Sequence, residues 1–333
     1  MVKRWLKNLK PENTQQRRAE NMIHGAPDCC LENTMSKIVQ LGLNAEMLPV
    51  SDAAQHFLNI IKNAPQEKPY RKHMVFNTPD LGLLSNMLTL GGFKDNKLYT
   101  FMLDGLDELY LFASKGNCNI YLSPKERAKL KGVPPNYNDI EHFTRPELFD
   151  EYGLCWPLIY DVIGLTKLYG TYCTETDRKI NAVIDFISND DFHNTIIDGY
   201  GILMTTGKTK YYAHGWDPKY PGWFNVNNYI ENACDRNSSS TRQTWYVPKL
   251  LFFAMHIVHY PAALKTKWFS DLLKCLAEYK TVNNTYEFPK EWLPEKTGYA
   301  VLGCHMSFGE KRRKRNWLEI ESTFYMQLLM QNI

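Results

Sequence analysis

The most chemically dense stretch of the chain is Tyr211-Tyr212-Ala213-His214-Gly215-Trp216-Asp217-Pro218. An imidazole and a carboxylate three residues apart, His214 and Asp217, can act as base and acid where the fold brings them together. Tyr200, Tyr212, Trp216, Trp223, Trp245 and Tyr246 crowd the same connection with aromatic faces. Such faces suit a cationic intermediate through the ring quadrupole, or a sugar or flat apolar ligand by stacking. Packing of these rings on one another is the alternative role. Two further carboxylates stand in apolar settings. Asp161 follows Trp156-Pro157-Leu158-Ile159-Tyr160, and Glu321 lies in Trp317-Leu318-Glu319-Ile320-Glu321-Ser322. A buried carboxylate must be paired or functional. Glu319 and Glu321, two residues apart, cannot share a helix face, so one of them is the inward candidate. That candidate is Glu321, which can equally serve the start of its helix. The basic run Lys311-Arg312-Arg313-Lys314-Arg315 precedes this helix. Arg315, nearest the helix, is the member expected to reach a ligand anion there; the rest of the run reads as a solvated face. His256 and His259 are three apart on an apolar helix and read as hydrogen-bonded core residues rather than metal ligands.

Helices must position these groups. Three apolar segments open alike, at Thr78-Pro79-Asp80-Leu81, Trp156-Pro157-Leu158-Ile159 and Val247-Pro248-Lys249-Leu250. Each puts proline at the expected first helical position, where its missing N–H costs nothing. Each is followed by a break and a second, amphipathic helix. The expected pairs are Cys29 to Gly42 with Asp52 to Lys62, Pro79 to Gly91 with Lys97 to Ala113, Pro157 to Gly170 with Asp177 to Ile187, and Pro248 to Tyr260 with Thr266 to Tyr279. A last apolar helix runs from Leu318 to Gln331. The proline offsets, 157 − 79 = 78 and 248 − 157 = 91, are too long and uneven for solenoid repeats of roughly 34 to 47 residues. The surplus lies in connections rich in Gly, Pro, Asn and aromatics, a composition that argues for ordered loops. Helices apolar all round belong inside, and helices with one polar face outside. The expected fold is therefore all-α: a single domain over residues 1–333, an (α/α) toroid of about five to six hairpins. Residues 1–26 extend or brace it.

This pattern resembles the terpenoid cyclase and protein prenyltransferase superfamily in its α/α-toroid form. The strongest local likeness is Gly298-Tyr299-Ala300-Val301 through Arg315-Asn316-Trp317-Leu318-Glu319-Ile320-Glu321-Ser322-Thr323. Its Glu-Ser-Thr before an apolar helix is similar to the start of that superfamily's last inner helices. The resemblance implies a site in the central cavity, at the N-terminal ends of the inner helices. It implies a small-molecule ligand, apolar or isoprenoid-like, and a transferase or cyclase if the protein is an enzyme. The expected lining is Trp156, Tyr160, Tyr200, Tyr212, Trp216, Trp223, Trp245, Tyr246, His305, Arg315 and Trp317, with Asp161, Asp217, His214 and Glu321 as catalytic candidates. The superfamily's chemical motifs are missing. No DxDD occurs, Asn189-Asp190-Asp191-Phe192 is not DDxxD, and Cys234-Asp235 and Cys304-His305 do not reproduce the zinc set. A carbohydrate-active toroid using Asp217 and Glu321, or a non-catalytic scaffold, are the readings from other classes.

Composition narrows the partners. The net charge of +3, from 39 basic and 36 acidic side chains, does not announce a nucleic-acid binder. No apolar run reaches the roughly 18 residues of a membrane span. Met1-Val2-Lys3-Arg4-Trp5 lacks an apolar signal region, so a cytoplasmic address is expected, with the eight cysteines as reduced, packed thiols. No GxxxxGK[ST], HExxH or GxSxG is present, and Gly199-Tyr200-Gly201 lacks a dinucleotide loop's context. No cofactor and no metal are expected.

Overall fold

The computed structural model describes residues 2–10, 23, 30–64, 81–119, 121–130, 145, 149–150, 153–154, 157, 159–189, 191–192, 202–206, 210–214, 251, 254–293, 312 and 314–333. These are mostly helical. The helices are α1 (Val2–Leu9), α2 (Leu31–Gln40), α3 (Leu48–Asn63), α4 (Leu81–Leu90), α5 (Asn96–Ala113), α6 (Pro124–Arg127), α7 (Ile159–Ile163), α8 (Thr174–Ile187), α9 (Pro261–Leu264), α10 (Lys267–Ala277) and α11 (Trp317–Met330). Residues 254–257 are also helical. Two short antiparallel strand pairs, β1 (Phe149–Asp150) with β2 (Gly153–Leu154) and β3 (Ile202–Thr206) with β4 (Lys210–His214), and two 3-10 turns, Gly164–Lys167 and Lys290–Trp292, accompany the helices. The second strand pair places strand where an aromatic loop was expected.

The helices sort into two rows. In one, α4 lies between α2 and α7. In the other, α5 packs on α3 and α8, α8 on α9, and α9 on α10. The rows meet where α4 packs on α3 and α5. The first row is buried all round. Every residue of α4 is buried, as are all of α2 except Val39. The second row buries one face: Val50, Ala53, Phe57 and Ile61 in α3, Ile180, Val183, Ile184 and Ile187 in α8. This is the inner and outer division that the hydrophobic patterning demands. The N-terminal helix braces the start of both rows, with Trp5 and Leu9 buried and α1 packed on α2 and α3.

Local signals fix the helix ends. Asp95 accepts from the N–H groups of Lys97 and Leu98 at the start of α5, a cap worth about 1 kcal/mol. Gly42 ends α2 and Gly170 closes the α7 segment, at φ of 76° and 70°; both take the left-handed conformation open to glycine. Pro157 is buried but not helical, and α7 starts two residues later, so proline stands just ahead of the helix rather than at its first position. Pro79 and Pro248 lie outside the described residues. The expected helix to Gly170 is also cut short, tightening to 3-10 geometry over Gly164–Lys167. The cause is Asn86 of α4. Its Oδ1 accepts the Gly164 N–H at 3.2 Å, which competes with the α-helical carbonyl four residues back.

The buried apolar side chains form one cluster running from Trp5 to Leu329. At the C-terminal end, the Ser322 hydroxyl accepts the Phe288 N–H at 2.9 Å and the Thr323 hydroxyl that of Tyr286 at 2.9 Å. These bonds tie α11 to the segment after α10. Cys30, Cys118 and Cys173 are free thiols, but Cys275 of α10 is disulfide-bonded to a cysteine outside the described residues. The expectation of uniformly reduced thiols is corrected there; nothing in the cysteine spacing points to a bridge that only the fold creates. No helix among the described residues is long and apolar enough to cross a membrane.

Candidate functional site

Helices α2, α4, α7 and α11 bury an unusual load of polar groups. On α2, Glu32, Asn33, Thr34, Ser36 and Lys37 are all buried. On α4 the buried polar residues are Ser85, Asn86 and Thr89, on α7 Asp161, and on α11 Glu321 and Ser322. Three buried carboxylates, Glu32, Asp161 and Glu321, thus come from three helices, α2, α7 and α11. Each is engaged in interactions within the fold, as buried charge requires.

Two charge centres are resolved in detail. The Arg312 guanidinium donates to Glu321 Oε2 at 2.8 Å and to the Leu293 carbonyl, and lies 4.3 Å from the centre of the Trp317 ring. Glu321 is buried and Arg312 largely so, with side-chain exposures of 3% and 12%, so water screens the pair little. The Lys37 ammonium, completely buried, donates to Gln40 Oε1 at 3.1 Å and to the Tyr325 hydroxyl at 3.0 Å. It also sits 5.5 Å from the Tyr325 ring centre. Residues 37 and 325 are 288 positions apart, so this contact joins α2 to α11. Glu321 and Tyr325 are one helical turn apart and share a face of α11.

A third group lies around residues 254–260. Burial, then the neighbouring His259 and Lys167, lower the His256 imidazole pKa to about 3. Its ring is neutral at pH 7. His259, an exposed residue whose ring is partly covered, is lowered as well, by that partial burial and by Lys167. Tyr260 donates to the Val162 carbonyl at 3.3 Å and meets Tyr169 edge-on at 5.4 Å. Burial and Tyr169 push its phenol pKa well above the ordinary range. This stretch is thereby locked onto α7.

Of the residues nominated from sequence, Asp161 of α7 and Glu321 of α11 are buried. Trp317 is half-buried at the start of α11, under Arg312. Arg315 is exposed; among the described members of the basic run it is Arg312 that turns inward, because Glu321 and Trp317 hold it there. Glu319 turns aside and accepts from the Thr285 hydroxyl, as its spacing from Glu321 requires. Tyr160 is placed in α7, and Tyr212 and His214 in β4, by their backbone. Trp156, Tyr200, Trp216, Asp217, Trp223, Trp245, Tyr246 and His305 lie outside the described residues. Among the described residues no three His, Cys, Asp or Glu side chains gather as a metal set. Glu32, Asn33, Lys37 and Arg312 were not singled out in the sequence. Their signal, polar residues on every face of a short helix between apolar neighbours, reads the same as a solvated helix.

No protein-family model, no curated protein and no solved structure matches the chain.

Proposed function

We propose that the inner helices close into an α/α toroid whose centre binds a polar, hydrogen-bonding small molecule, a carbohydrate being the class best suited to it. The Lys37–Tyr325 contact between the first and last inner helices supports closure. The observation that carries the ligand class is the set of buried carboxylates, Glu32, Asp161 and Glu321, on α2, α7 and α11, with Asn33 and Lys37 buried on α2 and Arg312 paired to Glu321. Taking such charges out of water costs several kcal/mol each, and well-packed apolar residues of similar size would be as stable. A ring interior kept polar at that cost suits a ligand that hydrogen-bonds from many directions. Asp161 and Glu321 are the acid and base candidates, since hydrolysis of a glycosidic bond needs two carboxyls roughly 5 to 10 Å apart. The neutral His256 adds a group able to donate or accept a proton.

A second reading, an isoprenoid-like ligand and transferase or cyclase chemistry, is favoured by the aromatic connection from Tyr200 to Tyr246 and by the superfamily resemblance. The two separate by calorimetry. The purified chain is titrated with a panel of oligosaccharides and, separately, with farnesyl and geranylgeranyl diphosphate. The carbohydrate reading expects binding of an oligosaccharide that Asp161→Asn or Glu321→Gln weakens at least tenfold. Binding of a prenyl diphosphate alone would replace it with the isoprenoid reading. Silence from both sets would leave the ring as a scaffold.

A further inference from the structure

We draw no further inference here: the strongest candidate, the buried polar stripe of Glu32, Ser36 and Gln40 along α2, where the Ser36 hydroxyl lacks a hydrogen-bond partner, belongs to the interior already described, and nothing in the structure shows what covers it.

Discussion

His256 makes the chain's stability depend on pH with a sign that can be worked out in advance. Its imidazole pKa is about 3 in the fold against 6.5 for the free group, because burial and the nearby His259 and Lys167 disfavour its charge. The unfolded chain therefore takes up the proton first. Stability from this group is full above pH 6.5 and falls as pH drops from 6.5 towards 3. Between pH 7.5 and 5.0 the unfolded chain gains about RT ln 30, or about 2 kcal/mol, and the folded state gains almost nothing. Any folded value below about 4 gives the same figure over this interval. His259, shifted the same way, adds to the loss. The assay is urea unfolding of the parent chain and His256→Gln at both pH values. Carboxylates lowered by ion pairs, such as Asp271 and Glu175, contribute equally to both proteins and cancel. The loss of stability on going to pH 5.0 should be about 2 kcal/mol smaller in the variant. Equal losses in the two proteins would refute an imidazole held neutral by its surroundings at this position.

Gly164→Ala puts a methyl 2.5 Å from Asn86 Oδ1 and 3.0 Å from its Cα, so α4 and α7 must separate; thermal unfolding should show a loss of about 1 to 3 kcal/mol. An unchanged midpoint would mean the two helices are not in backbone contact. Glu321→Leu strands the Arg312 charge among Trp317 and the Leu293 carbonyl and should cost about 3 to 5 kcal/mol, whereas Arg312→Met with Glu321→Leu should recover most of it. Chemical denaturation of both variants checks this, and a double variant no better than the single one would deny the ion pair.

Much of the helical scaffold was legible because it is written locally. The apolar spacing of Leu98, Met102, Leu106 and Leu109 gives α5, that of Ile180, Val183, Ile184 and Ile187 gives α8, and Gly42 and Gly170 mark where helical segments end. The hairpin of β3 and β4 was missed although its signal is present: runs rich in Thr, Tyr and apolar residues flank a short segment containing Gly207, a recognised hairpin pattern. The aromatics around it drew the reading towards a ligand loop. The polar interior was illegible for a deeper reason. Lys37 reads as an ordinary surface lysine until Tyr325, 288 residues later, is brought to its ammonium. Arg312 and Arg315 are indistinguishable in a run of five bases, and only the position of Glu321 and Trp317 turns one inward. Asp161 was found because a carboxylate inside an apolar segment stands out. Glu32, with Asn33 and Thr34 for neighbours, does not.

Whether α2 and α11 meet decides the proposed ring. Replacing Tyr325 with p-benzoylphenylalanine, irradiating the folded chain and mapping the linked peptides by mass spectrometry asks this directly. The account predicts a cross-link from position 325 into α2, within Leu31–Gln40. Cross-links confined to the segment between α10 and α11, with none reaching α2, would contradict it.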